Sequence, residues 1–265
     1  MWRRWMDGYN TPSMSDLVEI YEAGDEDIRM VTANNRVEWE RTQELLLRWL
    51  SAAPARVLDV GGGPGRYAHW LQAQGYDVTL LDPVPKHVRQ ARGRDVTAVL
   101  GDARDLPFET GSADAVLMLG PLYHLPDPAD RAQALAEAAR CAAPGAPIIA
   151  AAMSRWAKPS VRAARGELGN PAIRDHLLRV LEHGQDVQGD SFDLASYNHD
   201  PEELREELVR AGLEDVLVLG IEGPLGANAR VEVSLAATAI AAARIAEVQA
   251  PHFSIHMIAR GNKPR

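Results

Sequence analysis

The chain has 265 residues, of which 46% are hydrophobic and 25% are charged, and this balance predicts a globular protein with a sizeable core. A formal net charge of −9 argues against a nucleic-acid partner, which would favour a basic surface. The one cysteine excludes an internal disulfide, and no apolar run is long enough to span a membrane. Since no secretory signal is recognisable, we expect one cytoplasmic domain over residues 1–265 without a nucleic-acid or membrane partner. The oligomeric state stays open.

Two helical patterns precede the first predicted strand. Helices are expected over Leu17–Ala23 and over about 34–50, where apolar residues recur at helical spacing. Residues 1–53 are therefore predicted to form a helical lid over a ligand, or to cover one face of a sheet, and the two roles are compatible. Tyr21 and Arg29 could reach a bound substrate from this segment, although a solvated arginine is the commoner case.

A glycine-rich turn follows the first strand, which is predicted over 57–60. An acid and three alternating glycines form the pattern Asp59-x-Gly61-x-Gly63-x-Gly65. Glycine lets the backbone turn sharply and approach a ligand closely, so the turn predicts a nucleotide-like ligand. A dinucleotide fingerprint would need its third glycine where Arg66 stands, and this argues against an NAD-dependent oxidoreductase.

Strands and helices then alternate, which is typical of a parallel sheet with crossover helices. Further strands are predicted over 77–81, 97–100, 113–119 and 147–153, with helices over 67–74, 86–92 and 130–142. Asp82 ends the second strand, where an acid can accept hydrogen bonds from ribose hydroxyls. Asp102 follows the third strand in Gly-Asp-Ala-x-x-Leu-Pro-Phe, and a turn-capping role is its alternative.

The fourth strand leads into the block Gly120-Pro121-Leu122-Tyr123-His124-Leu125. Ligands of open α/β sheets bind beyond the carboxyl ends of the strands, so this loop should border the reacting centre. Tyr123 and His124 are therefore candidate catalytic residues. A histidine at this position could deprotonate a hydroxyl, an amine or a carbon acid, and a purely structural histidine is an equally good interpretation.

The remaining chain is less regular. Residues 154–200 are polar with scattered apolar positions and are predicted to form an inserted helical cap that selects the substrate. After the cap, helices are expected over 201–211 and 227–248, and strands over 213–221 and 252–260. On that last strand His252 and His256 would share one face.

The order of these motifs resembles class I S-adenosylmethionine (SAM)-dependent methyltransferases over about 55–155, and the Gly-Pro-Leu-Tyr-His-Leu block is similar to a bacterial small-molecule branch. The resemblance implies a Rossmann-like seven-stranded sheet, mostly parallel with an antiparallel last strand, and SAM as the cofactor. It also implies that the motif acids, their glycines and their neighbours bind this cofactor: Asp59, Gly61, Gly63, Asp82, Pro83, Asp102, Ala103 and Leu119.

The acceptor is expected to be a small organic molecule methylated at oxygen, nitrogen or carbon, with a 2-oxo acid carbon as one option. The alternative is a SAM-binding protein without transfer activity. Candidate substrate contacts lie on the acceptor side of the predicted site: Tyr21, Arg29, His199 and Glu222. Some methyltransferases that act on 2-oxo acids use a metal, and a His and carboxylate set could provide one here: His124, His199, Glu222 and His256. Their spacing is not diagnostic of a metal.

Overall fold

The computed structural model describes residues 14–24, 26–186 and 196–265. Within them a mixed β-sheet is flanked by helices on both faces. The strands are β1 (Arg56–Val60), β2 (Asp77–Asp82), β3 (Thr97–Leu100), β4 (Ala115–Met118), β5 (Pro147–Ser154), β6 (Gln185–Asp186), β7 (Ser196–His199), β8 (Glu214–Gly220) and β9 (His256–Asn262). The helices are α1 (Met14–Ala23), α2 (Glu26–Val31), α3 (Arg36–Trp49), α4 (Arg66–Ala73), α5 (Pro85–Arg92), α6 (Pro128–Cys141), α7 (Ala157–Ala164), α8 (Pro171–His183), α9 (Pro201–Arg210), α10 (Gly226–Val231) and α11 (Ala236–Ala246).

Seven strands form the main sheet in the order β3-β2-β1-β4-β5-β9-β8. The pairs among β1 to β5 are parallel, whereas β9 runs antiparallel to both β5 and β8. This confirms the Rossmann-like sheet with an antiparallel last strand. The short antiparallel pair β6–β7 adds two strands to these seven. β7 pairs in parallel with the end of β5, Met153 with Asn198 and Ser154 with His199.

The apolar runs of the central strands are explained by burial on both faces of the sheet. Leu58 and Val60 point into one core, which α6 and α9 cover, whereas Val57 points into the other. That second core receives Leu45 from α3 and Leu71 from α4. Because alternate residues of a strand face opposite sides, both layers of helices must be apolar toward the sheet.

Two predicted elements near the C-terminus were wrong in their bounds. The helix expected over 227–248 is split into α10 and α11 by extended backbone at Glu232, whose carboxylate accepts a hydrogen bond from the Ser234 amide. The last strand begins at His256, because Pro251 opens a 3₁₀ turn and lacks the amide hydrogen that a ladder needs. His252 lies in that turn and does not share a strand face with His256.

The predicted cap over 154–200 contains α7, α8, β6 and β7, and its residues 187–195 lie outside the described residues. The predicted lid over 1–53 contains α1, α2 and α3, and its residues 1–13 also lie outside them. Both assignments stay predictions. No helix among the described residues has the length and apolar character needed to cross a membrane.

Candidate functional site

A cavity that is partly open to solvent lies beyond the carboxyl ends of β1, β2 and β4. Parallel strands gather these ends at one edge, so residues distant in sequence meet there. All eight residues predicted to bind the cofactor line this cavity: Asp59, Gly61, Gly63, Asp82, Pro83, Asp102, Ala103 and Leu119. Tyr21, Tyr123 and His124 also line it.

The glycine turn after β1 combines tight packing with open space. Gly61, Gly63 and Gly65 all have positive φ, which side chains rarely adopt. A Cβ on Gly61 would lie 2.8 Å from Pro121 Cγ, and a Cβ on Gly65 would lie 2.8 Å from Ala91 Cβ. A Cβ on Gly63 would meet nothing within 4 Å. The turn therefore leaves space at Gly63 for a ligand to approach the backbone.

Asp59 lies beneath this turn as a buried acid. Its side chain is 1% exposed, and neither carboxylate oxygen has a hydrogen-bond partner among the described residues. Burial, with a smaller contribution from the negative charge of Asp82, raises the pKa of Asp59 to about 7. A buried carboxyl group without partners suits a ligand that carries positive charge, because such a ligand would compensate for the lost solvation.

Asp82 is held in place by three donors. The Gly63 amide donates to Asp82 Oδ2 at 2.8 Å, and the Val84 amide donates to Oδ1 at 2.9 Å. His87 Nδ1 lies 3.0 Å from the same Oδ1. His87 and Val84 also line the cavity, although no motif in the sequence indicated them. The carboxylate is therefore fixed in orientation at the cavity wall.

Asp102 is engaged by a neighbouring arginine. Arg104 Nε donates to Asp102 Oδ1 at 3.0 Å, and Arg104 Nη2 donates to Oδ2 at 2.5 Å. Although burial opposes it, hydrogen bonding to Arg104 holds the pKa of Asp102 below its usual range. Arg104 Nη1 reaches Asp130 at 2.9 Å and so anchors the loop after β3 to α6. Asp102 is thus an ionised acceptor whose orientation is set by Arg104.

Tyr21 of α1 reaches the loop after β4. Its hydroxyl lies 2.9 Å from His124 Nε2, and its ring packs edge-on against His87 with centroids 5.1 Å apart. Tyr123 packs against His124 with centroids 4.5 Å apart. The N-terminal segment thus places a phenol at the predicted catalytic histidine, and the role of Tyr21 toward a substrate stays a prediction.

Acidic residues tie this segment to the rim of the cavity. Asp27 of α2 pairs with Arg66 at 2.5 Å and with Arg94 at 2.6 Å. Glu22 of α1 accepts a hydrogen bond from the Lys86 amide at 2.7 Å. Arg29 also belongs to α2, but its side chain lies outside the described residues.

The structure corrects the prediction for His199. This residue is fully buried, does not line the cavity, and lies 3.2 Å from Glu207 of α9. Arg131 of α6 also pairs with Glu207, at 2.8 Å, and its guanidinium carbon lies 3.7 Å from the centre of the Tyr197 ring. His199 therefore belongs to an internal network that joins β7, α6 and α9.

The four residues predicted as a metal set do not come together. His124 contacts Tyr21 and His199 contacts Glu207, whereas Glu222 lies beside His256, 2.6 Å from its Nδ1. Within the described ranges, one group of three or more residues could place ligand atoms within 4.8 Å of one another: Glu38, Glu222 and His256. Glu222 does not line the cavity, but Glu38 does, which sequence reasoning missed.

This cluster is already balanced in charge. Arg230 lies 2.8 Å from Glu38 and 3.8 Å from Glu222. Although burial opposes it, the charge and hydrogen bond of His256 lower the pKa of Glu222 to about 2. Likewise, against the effect of burial, Glu38 and Glu222 raise the pKa of His256. Arg230 and His256 thus face two carboxylates, and we interpret the cluster as a charge network that links α3 to β9.

Comparison with known proteins agrees with this geometry. A methyltransferase domain family model matches residues 58–150. The chain is 40% identical over 98 residues to an uncharacterized methyltransferase of Mycobacterium bovis, a match covering 36% of this chain and only 39% of that relative. It is 30% identical over 190 residues to the ubiquinone biosynthesis O-methyltransferase of Bordetella bronchiseptica, covering 67% of this chain and 72% of the relative.

The fold is also that of known methyltransferases. A SAM-dependent methyltransferase from Thermotoga maritima superposes with a TM-score of 0.64 at 20% identity, covering 93% of this chain and 99% of that chain. At this identity the likeness concerns the fold alone, whereas the Bordetella relative supplies the sequence relationship. The chain belongs to the family of class I SAM-dependent methyltransferases.

Proposed function

We propose that this protein transfers the methyl group of SAM to a hydroxyl oxygen of a small, uncharged aromatic acceptor, with His124 as general base. The observation that carries the proposal is the phenol of Tyr21, whose hydroxyl lies 2.9 Å from His124 Nε2 inside the cavity. A phenolic hydroxyl therefore fits against this imidazole. The acceptor hydroxyl would take the same place when α1 shifts.

The residues around the cavity fit SAM. Asp82 would accept a hydrogen bond from a ribose hydroxyl, and Asp102 with the Ala103 amide would meet the adenine ring. Asp59, a buried acid without a hydrogen-bond partner among the described residues, would lie near the positive charge of the methionine part. When bound, SAM would supply an electrophilic methyl group: the nucleophile would bond to the methyl carbon in line with the carbon–sulfur bond, which breaks to release S-adenosylhomocysteine.

The work of the chain is then to position the nucleophile and remove its proton. A phenol is a weak nucleophile while it keeps its proton, and its anion is a strong one. His124 Nε2 would accept this proton as the new carbon–oxygen bond forms, and would later release it to water. The loop after β4 would hold the acceptor oxygen within attacking distance of the methyl carbon.

The charge of the cavity wall argues for an uncharged acceptor. The part of the wall that the structure describes includes no lysine or arginine, and it carries five acidic side chains: Glu26, Glu38, Asp59, Asp82 and Asp102. Glu38 and Asp102 are paired with Arg230 and Arg104, which offset part of this negative charge. At an effective dielectric of about 20, one carboxylate about 8 Å from an anionic acceptor costs about 2 kcal/mol. This disfavours the 2-oxo acid option. The similarity to an O-methyltransferase of ubiquinone biosynthesis supports a hydroxyl acceptor.

A matched acceptor series tests this proposal. We expect S-adenosylhomocysteine (SAH) to form with neutral phenols and catechols, and kcat/KM to fall at least about tenfold when a carboxylate is added to the same ring. SAH binding without turnover of any acceptor in the series would favour the binding-only alternative. Faster turnover of the carboxylated acceptors would contradict the charge argument.

Asp59 makes SAM affinity dependent on pH. Because its pKa is raised to about 7, the free protein holds roughly half a proton on this carboxyl at pH 7. A bound cation favours the ionised form, so binding releases that proton and affinity rises as the pH increases through 7. Calorimetry in two buffers of different ionisation enthalpy should report the proton release, and Asp59→Asn should abolish it. Equal heats in both buffers for the wild type would contradict this assignment.

A further inference from the structure

His87 is a buried histidine in the cavity wall that the proposed chemistry does not use. It is 3% exposed, follows Asp82 by five residues, and lies in the first turn of α5. Its Nδ1 lies 3.0 Å from Asp82 Oδ1. Since a carboxylate can only accept, Nδ1 carries the hydrogen and the imidazole donates to Asp82.

Of the three donors that hold Asp82, His87 is the one that donates from a side chain. The other two donors are the amides of Gly63 and Val84, which side-chain substitution at those positions leaves in place. A carboxylate has about four lone-pair sites, so three donors fix its plane and leave room for a further donor from the cavity. The orientation of this remaining site therefore depends on the imidazole.

Burying the His87 imidazole costs folding free energy, which is unexplained unless the ring serves a ligand. The other ring nitrogen, Nε2, is buried and has no hydrogen-bond partner among the described residues. An apolar side chain at this position would fill the space without that cost. The ring of Tyr21 packs edge-on against the imidazole, so helix α1 shields the pair from water. In a shielded site a hydrogen bond to a charged group is strengthened.

We propose that His87 is a positioning residue for ribose recognition, which fixes the Asp82 carboxylate so that its remaining site accepts a hydrogen bond from a ribose hydroxyl of the cofactor. The inference rests on SAM as the ligand of this cavity and not on the identity of the acceptor. His87 itself touches no reacting atom.

Two substitutions separate the hydrogen bond from the packing. In His87→Asn the amide nitrogen takes about the place of Nδ1 and can still donate to Asp82. In His87→Leu the volume is largely kept and the donor is lost. The probes are SAH and an SAH analogue that lacks the 2′ and 3′ hydroxyls, with affinities measured by calorimetry. We expect His87→Leu to weaken SAH binding at least about tenfold, and His87→Asn to weaken it less than about threefold.

The analogue distinguishes positioning from general damage. Because it has no ribose hydroxyls to offer Asp82, we expect His87→Leu to change its affinity less than about threefold. A matched control is His176→Phe, since His176 also lies 3.0 Å from an aspartate, Asp186, but does not line the cavity. The control should leave the ratio of the two affinities unchanged.

Equal losses for SAH and the analogue in His87→Leu would overturn the proposal, because the substitution would then act on the cavity as a whole. Should His87→Leu fail to fold, His87→Gln replaces it, since its amide lies nearer the place of Nε2 and cannot readily reach Asp82. A smaller loss in His87→Gln than in His87→Asn would also overturn it. Absence of SAH binding to the wild-type protein would instead contradict the cofactor assignment.

Discussion

Replacing His124 by alanine should lower kcat for a phenolic acceptor by about 10²- to 10⁴-fold, the range that general base catalysis contributes. The affinity for SAH should change less than about threefold, because no assigned cofactor contact is lost. The physical reason is the position of the imidazole, whose Nε2 lies 2.9 Å from the phenolic hydroxyl of Tyr21, where the acceptor hydroxyl would bind. Single-turnover rates at saturating SAM, with SAH affinity measured by calorimetry, check both values.

A more acidic acceptor, which is ionised before it binds, provides the control for the role of His124 as a base. A nitro-substituted phenol that is already ionised at the assay pH has no proton to lose, so the rate loss in His124→Ala should shrink to within about tenfold. His124→Gln should behave like His124→Ala with both acceptors, because an amide can hydrogen-bond to Tyr21 but cannot accept a proton. An equal loss for ionised and neutral phenols, or a parallel loss of SAH affinity, would make His124 a structural residue.

The cofactor side of the cavity could be predicted from the sequence because its signals are local. Asp59 near the end of β1 and the glycines that follow it lie in one short strand-to-helix stretch, Asp82 is the last residue of β2, and Asp102 lies two residues after β3. In a parallel sheet the carboxyl ends of such strands must meet at one edge, so each short motif fixes its own place. Periodicity therefore placed these acids at strand ends that share one edge of the sheet, and the resemblance to class I methyltransferases implied that they bind one cofactor there.

The acceptor side depends on contacts that no local pattern records. Glu38 meets Arg230 across 192 positions of the chain, and Tyr21 meets His124 across 103. His199 was expected on the acceptor side of the site, with a role in the cap region as the alternative, but the short strand β7 carries it inward to Glu207. His87 had no signal either, since five residues after a strand-end acid is an ordinary position in a helix. Pairing of buried polar groups, rather than hydrophobic spacing, decides these positions.

Replacing Asp82 by alanine should weaken SAH binding by about 100-fold, from the loss of a charge-assisted hydrogen bond to the ribose. Part of this loss would come from the protein itself, because the Gly63 and Val84 amides and His87 would lose their common acceptor. Calorimetry with SAH and with its analogue lacking the ribose hydroxyls separates the two parts. The loss that both ligands share reports the disturbed turn, and the additional loss for SAH reports the ribose contact.

Asp82→Asn tests the electrostatic role of the same carboxylate. The negative charge of Asp82 contributes to the raised pKa of Asp59, so removing it should move the pKa of Asp59 down from about 7. The rise of SAM affinity with pH should then occur at lower pH than in the wild type, and less proton should be released at pH 7. A variant that loses affinity but keeps the wild-type pH dependence would contradict this coupling. Because alanine and asparagine both remove the charge, both should shift the pH profile, whereas only alanine removes every acceptor atom from the turn.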